Sequence, residues 1–464
     1  MIKDACGVVG AYSSIDVSMR IFDCLIALQH RGQESAGIAT YKGTEGIRLH
    51  KSMGLVPEVF NPSVLRSLRG TVGIGHVRYS TAGESNPTNS QPYLAQDPDF
   101  AIAMNGNISN YLDLKKALPD RTFDTTSDLE LVAHLLSISL REKDDWFRAI
   151  GDAMEKLIGA FSLVILTEKG ELISVRDSLG IRPLCLGRVD DTYVIASETS
   201  GLDSLGARLI RDVEPGEVVL IDKGGLQTRL LDLQRHAHCM FEWVYFARAD
   251  SVVEGISVHK VRERLGRNLA REHPADADIV VPVPDSGRSA ASGFAMESGI
   301  PLFEGFIKNR YLGRTFIMPH QNEREERLKF NPIKTVVKGR GVVLVDDSIV
   351  RGTTLPKLVN LLKNAGAREV HVRISCPPLR FPCLYGIDFP TFEELIASKR
   401  SEEEIRKRVG ADSLYYQSLD GLIEAIGLSR EELCLACLTG KYPLRFGDVD
   451  LDGLRKACGK DEHG

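Results

Sequence analysis

The chain has 464 residues, 43% of them hydrophobic and 26% charged, an ordinary balance for soluble domains and enough length for two or three of them. Its 58 basic and 63 acidic residues leave a net charge of −5, which gives no electrostatic reason to expect a nucleic-acid partner. No apolar run approaches the roughly 18 residues that cross a bilayer, and MIKDAC lacks the apolar core of a secretory signal, so no membrane association and a cytoplasmic location are expected.

From about residue 6 to 235 the chain is built of short apolar runs separated by Gly and Asn, such as TVGIGHVRYS, FAIAMNGNIS, AFSLVILTEKGELISVRD and DTYVIASE. Two helices are predicted among them, Ser18–His30 and Asp128–Glu142, the second with Ser127 as N-cap. Many strands and few helices predict a sheet-rich sandwich covered by helices. Residues 235–260 form a joint. Beyond it, the apolar runs Ile279–Val283 and Val342–Val345 each end in an acidic, glycine-bearing turn that leads into a helix, and VHVRIS supplies a third run. Buried strands alternating with helices predict a parallel α/β sheet. After Cys383 the pattern is mostly helical.

The amino-terminal half carries Cys6 in ACGVVG, then QHRGQESAGI (29–38), GHVRYST (75–81), NGNIS (105–109) and SDLE (127–130). Amide hydrolysis needs a thiol nucleophile, a base beside it, an oxyanion site and groups that grip an amino acid's charges. Loss of Met1–Ala5 would free the α-amine of Cys6, whose ordinary pKa of roughly 8 suits a base at neutral pH. Asn105 and Gly106 offer oxyanion donors, Arg78 a partner for an α-carboxylate, and Asp128 a partner for an α-ammonium. Taken singly, each has a plain structural reading: NG is a common hairpin turn, a lone Arg pairs at a surface, and an acid at a helix start answers the helix dipole. Occurring together and in order, they resemble the class II glutamine amidotransferases. The resemblance implies a four-layer αββα N-terminal nucleophile domain, Cys6 as nucleophile after removal of the 1–5 propeptide, Arg78 and Asp128 on glutamine, Asn105 and Gly106 on the oxyanion, and Arg31 as a further pocket residue. His30 and His76 are read as structural.

In GVVLVDDSIVRGTT (341–354) an apolar strand runs into Asp346 and Asp347. Two adjacent acids at a strand end suit ribose hydroxyls and a nearby Mg²⁺. The loop from Ser348 through Arg351, Gly352, Thr353 and Thr354 opens a helix, where backbone N–H groups and hydroxyls can hold a phosphate. This resembles the type I phosphoribosyltransferases. A second turn, with Asp285, Ser286, Gly287 and Arg288, resembles their diphosphate loop, and Ser286 is a further candidate for the metal. Residues 308–334 form a long polar loop, read by resemblance as a lid with Arg310, Arg314, Arg327 and Lys329 as charge partners, or else as a solvated basic loop.

The two halves in this order, with CMFEWVYFARADS (239–251) between them, resemble the amidophosphoribosyltransferases, with Ala249 and Ser178 departing from the usual Pro. The resemblance implies a chain divided into 1–5, 6–235 and 260–464. It implies an enzyme that transfers ammonia from glutamine to phosphoribosyl diphosphate in purine synthesis, with Mg²⁺, nucleotide feedback and a homotetramer or dimer. Two rivals remain: an amidotransferase serving another acceptor, and a non-catalytic phosphoribosyl-diphosphate sensor. Nine cysteines in a reducing compartment point to catalysis, metal or core, because an odd number cannot all pair. Cys239, Cys383, Cys434 and Cys437 resemble the ligands of a [4Fe–4S] cluster in one branch of that family, with zinc as the rival. Cys376 lies close enough to Cys383 to be confused with it, while Cys24, Cys185 and Cys458 read as core or surface residues.

Overall fold

The computed structural model describes residues 6–79, 86–231, 235–309, 330–389 and 391–444. The apolar runs of the first half become strands: β1 Gly7–Tyr12, β2 Ser35–Tyr41, β3 Ile47–Met53, β4 Val72–Arg78, β5 Tyr93–Ala95, β6 Phe100–Ile108, β7 Gly159–Thr167, β8 Leu172–Arg176, β9 Cys185–Val189, β10 Thr192–Ala196, β11 Arg208–Asp212, β12 Glu217–Asp222 and β13 Gly225–Leu230. They pair antiparallel into one sheet of order β11-β9-β10-β1-β4-β2-β3 and another of order β13-β12-β8-β7-β6-β5. Val8, Ala39, Ile74, Ala103, Val164 and Leu166 fill the space between the sheets.

The outer faces are apolar too, which is why β7 is buried at every residue and apolar on both faces apart from Ser162 and Thr167. Helix Ser18–Ala27 covers the first sheet through Ile21 and Leu25. Helices Asp128–Lys143 and Trp146–Met154 cover the second through Leu129, Val132 and Ile150. The result is the expected αββα stack. Ser127 caps its helix as expected, its Oγ accepting from Leu129 N at 3.3 Å. The first helix stops at Ala27 rather than His30, since the chain then turns inward to pack Gly32 against β4. Several short helices beyond the two expected complete the cover.

The second half is a parallel sheet in the order Ile279–Pro282, Gly341–Asp346, Glu369–Ile374, Ser413–Tyr416. The fourth strand lies inside the stretch expected to be helical. It is short, and its alternation of buried Leu414 and Tyr416 with partly or fully exposed Ser413 and Tyr415 is the half-covered pattern of an edge strand. Helices Val258–Glu272 and Arg288–Ser298 cross closely because each presents a glycine. A Cβ on Gly266 would sit 1.8 Å from the Ala290 carbonyl oxygen, and one on Gly293 would sit 1.9 Å from that of Glu263. Among the described residues no helix is long and apolar enough to cross a membrane.

Candidate active site

Cys6 directly precedes β1, and its Sγ donates to the Tyr79 carbonyl at 3.3 Å. Burial raises the thiol above its ordinary pKa, against the charges of Arg78 and Arg182. Arg78 ends β4, is buried, and reaches Glu34 at 3.4 Å. Asp128 opens its helix with Oδ2 accepting from Ile108 N at 2.8 Å; burial lifts its pKa to about 6, with Arg78 among the groups opposing the shift. Asn105 shares a face of β6 with Ala101 and Ala103, which fill the space between the sheets, so strand alternation points its amide toward the sheet that Cys6 begins. Both amide atoms of Asn105 are buried without a hydrogen-bond partner among the described residues. The fold therefore draws Cys6, Arg78, Asn105 and Asp128 toward one buried space.

Arg31 differs from its expected place in a glutamine pocket. It is buried, and its Nε donates to the Cys6 carbonyl at 3.1 Å. Its two terminal nitrogens bind Glu242 at 2.9 and 2.8 Å, and one also binds Glu198. A guanidinium held by two buried carboxylates is unsuited to gripping a substrate carboxylate. Glu198 further accepts from Arg248 N at 2.9 Å, Ser251 Oγ at 2.7 Å and His30 Nε2 at 2.8 Å. Burial opposes the charge of Glu198, yet His30 and Arg31 hold it well below the usual carboxylate range. A depressed carboxylate stabilises the fold above its unfolded pKa, and that contribution is lost as pH falls toward the folded value.

A cavity of about 520 Å³ lies at the carboxy-terminal end of the parallel sheet, lined by Asp285, Ser286, Lys308 and residues 346–355 on one side and by His30, Gln33 and residues 245–249 on the other. Asp347 accepts from Ser286 Oγ and Ser348 Oγ, each at 2.5 Å. Burial and the neighbouring Asp347 carboxylate push Asp346 well above the usual range. Gly352 takes φ +66° in the loop, and Thr353 and Thr354 open helix Thr354–Asn364 on the cavity wall. An acid pair beside a helix amino terminus is a setting for a cation and a phosphate together.

Two expected ligands lie off this wall. Gly287 is a packing residue, since a Cβ there would sit 2.5 Å from the Val345 carbonyl oxygen. Arg288 is not on the lining; it pairs with Glu304 and reaches Asp285 at 3.6 Å. Arg351 lines the cavity but reaches Glu394 at 2.6 Å and Asp388 at 3.8 Å. Lys329, Arg310, Arg314, Arg327, Cys458 and Met1–Ala5 lie outside the described residues.

Comparison with known proteins decides between the sequence readings. A Glutamine amidotransferase domain model matches residues 76–204, and a Phosphoribosyl transferase domain model matches residues 255–379. An amidophosphoribosyltransferase of Methanothermobacter thermautotrophicus is 50% identical over 470 residues, covering 99% of each chain. That of Bacillus subtilis is 45% identical, covering 98% of each chain. The chain belongs to the amidophosphoribosyltransferase family. As a member it is a glutamine-dependent phosphoribosyltransferase. A solved B. subtilis glutamine phosphoribosylpyrophosphate amidotransferase, in complex with ADP and GMP, superposes with a TM-score of 0.90 at 44% identity, covering 97% of this chain and all of that one.

Two of the four cysteines expected at a cluster are strand partners in this amidophosphoribosyltransferase scaffold. Cys239 pairs in parallel register with Cys434, and Cys437 lies on the helical turn Ala436–Thr439 that follows. Burial and then Cys383, Cys434 and Cys239 push the Cys437 thiol up, and burial raises Cys239 to about 12. Arg182 is the cation facing Cys239, Cys383 and Cys434, and it also faces Cys6. Among the described residues no three His, Cys, Asp or Glu side chains converge on a single metal ion. Sequence reasoning missed Lys308, Arg182, Glu198 and Glu242. Lys308 bonds Asp285 at 2.5 Å, and nothing local in the sequence marks the other three as a buried charge group.

Arg31→Met removes the guanidinium that Glu198 and Glu242 share, leaving His30 and the more distant Arg182 as their cationic neighbours, and is expected to cost about 3 kcal/mol, measured by urea denaturation followed through intrinsic fluorescence. A variant with unchanged stability and only a raised KM for glutamine would place Arg31 in the substrate pocket after all.

Proposed function

We propose that the chain makes 5-phosphoribosylamine: glutamine is hydrolysed at Cys6, and its ammonia displaces diphosphate from C1 of 5-phosphoribosyl 1-diphosphate, the first committed step of purine synthesis. The observation that carries this is the shared wall. His30 and Gln33 line the cavity of the acid pair, while Arg31 between them binds the Cys6 carbonyl.

Removal of residues 1–5 frees the Cys6 α-amine, which takes the thiol proton. Sulfur attacks the side-chain amide carbon of glutamine, and Asn105 Nδ2 and Gly106 N–H bind the oxyanion. The amine returns its proton to the leaving nitrogen, the C–N bond breaks, and water then cleaves the thioester to glutamate. Arg78 grips the substrate α-carboxylate, and Asp128 grips the α-ammonium when ionised. In residues 260–464, Asp346 and Asp347 hold the ribose hydroxyls, Ser348, Gly352, Thr353 and Thr354 hold the 5-phosphate, and Asp285 and Ser286 flank the diphosphate. The ammonia lone pair forms the new bond to C1 as the C1–O bond breaks. Asp346 and Asp347, whose mutual repulsion a cation would relieve, would hold Mg²⁺ together with Ser286, and the ion would neutralise the leaving diphosphate.

We assign Cys239, Cys383, Cys434 and Cys437 as the residues that would hold a [4Fe–4S] cluster, a reading supported by the register of Cys239 with Cys434 and by Cys437 on the turn that follows. No redox step occurs in the reaction, so we assign the cluster a structural role. The division into 6–235 and 260–464, a cytoplasmic location and a homotetramer or dimer complete the proposal. So does feedback by purine nucleotides, supported by the ADP and GMP bound to the B. subtilis relative.

Replacing Asp346 and Asp347 together with Asn is expected to abolish diphosphate release from phosphoribosyl diphosphate with either glutamine or ammonium as nitrogen source, while some glutaminase activity survives; persistent transfer would refute the ribose assignment. In a Cys6→Ala chain beginning at residue 6, glutamine affinity should be flat above about pH 6, because Asp128 is ionised there. Below that pH the Kd should rise about tenfold per unit as the carboxyl takes up a proton. Calorimetry showing equal affinity at about pH 7 and about pH 5 would remove Asp128 from the ammonium site. Anaerobically purified protein should contain iron and acid-labile sulfide in equal amounts; zinc without iron would overturn the cluster.

A further inference from the structure

On β6 the short strand β5 pairs only with residues Phe100–Ile102, so the edge of β6 is open from Met104 onward. Strand alternation turns the N–H groups of Met104, Gly106 and Ile108 to that open edge, since residues two apart point the same way and β7 takes the others. Side chains close two of the three positions. Gln91 Oε1 accepts from Met104 N at 2.8 Å, and Asp128 Oδ2 accepts from Ile108 N at 2.8 Å. Gly106 lies between them on the same edge, beyond the reach of β5. The carbonyl of Met104 is closed as well, by His76 Nε2 at 3.1 Å.

His76 reaches Met104 from the other sheet. It lies on β4, two residues after Ile74, with its ring directed between the sheets, and it is fully buried. Burial lowers its pKa to about 3, so the ring is neutral, and the proton that faces the Met104 carbonyl is on Nε2. That leaves Nδ1 as a buried acceptor with no partner among the described residues. An apolar residue would fill the same space without that desolvation cost. A merely space-filling role therefore does not account for histidine here, whereas holding one carbonyl in place does.

We propose that His76 and Gln91 are positioning residues of glutamine hydrolysis: they clamp the two ends of the Met104 peptide environment, continuing the ladder that β5 abandons, and so fix the Gly106 N–H and the Asn105 amide where the oxyanion forms. This rests on the oxyanion reading of Asn105 and Gly106. The clamp acts on kcat, because an oxyanion donor is engaged more strongly in the transition state than with bound glutamine.

The test compares diphosphate release by the full chain with glutamine and with ammonium chloride as nitrogen source. His76→Met and Gln91→Leu should lower kcat with glutamine on the order of 10²-fold. The KM for glutamine should stay within about threefold and the ammonium-dependent rate within about twofold, because neither uniform binding nor the transfer site changes. His76→Gln, which keeps an N–H donor, should recover most of the loss. Equal losses with both nitrogen sources, a rise in KM alone, or His76→Gln no better than His76→Met would overturn the clamp. Asn105→Ala separates the two readings. If it keeps full kcat, the oxyanion assignment fails; if it loses kcat while His76→Met does not, only the clamp fails.

Discussion

Arg31 is held out of water between Glu198 and Glu242, and Glu242 in turn faces Arg182 at 3.6 Å. Two guanidiniums and two carboxylates make a group whose charges balance, and balance is the condition for keeping ions in a protein interior. Such a group adds little net stability over an apolar packing, but it has few alternative geometries, because any rearrangement strands a buried charge. The constraint reaches both chemical centres. Arg31 Nε holds the Cys6 carbonyl, so the backbone of the proposed nucleophile is tied to this group. Glu198 holds Arg248 N and Ser251 Oγ, so the backbone that lines the transferase cavity is fixed from the same carboxylate.

Strand β6, which carries Asn105 and Gly106, has a second support from the carboxy-terminal half. Asn107 Nδ2 and Ser109 Oγ both donate to the Leu384 carbonyl, at 3.1 and 2.8 Å. Leu384 follows Cys383, so the loop carrying one of the four cysteines also anchors the end of β6. Arg182 donates to the Tyr385 carbonyl at 2.5 Å and faces the thiols and Cys6 alike. The amino-terminal chemistry is thus buttressed from the joint on one side and from the cysteine loop on the other.

Much of this was legible in the sequence because it lay in local patterns. Apolar runs broken by Gly and Asn gave the two sheets, and the acid pair after Val342–Val345 gave the cavity and its loop. Cys6, Arg78, Asn105 and Asp128 were legible as an ordered set, and the structure draws them toward one space. What the sequence hid was mostly long-range pairing. Arg31 looked like a pocket residue because its partners, Glu198 and Glu242, lie 167 and 211 residues away. Arg288 looked like a diphosphate ligand because its loop fits that reading; the fold divides its guanidinium between Glu304 and Asp285. The strand Ser413–Tyr416 was hidden by its length, since four residues flanked by helices carry too little periodicity to declare themselves. His76 looked like a plain core histidine; only its approach to the Met104 carbonyl across two sheets gives it a task.

If one buried charge group fixes both centres, nitrogen release and sugar transfer should run in step. The direct measurement is the ratio of glutamate formed to diphosphate released by the purified chain supplied with glutamine, phosphoribosyl diphosphate and Mg²⁺. The account predicts equal amounts throughout the time course. Glutamate accumulating well ahead of diphosphate, or diphosphate appearing only when ammonium is added, would contradict it.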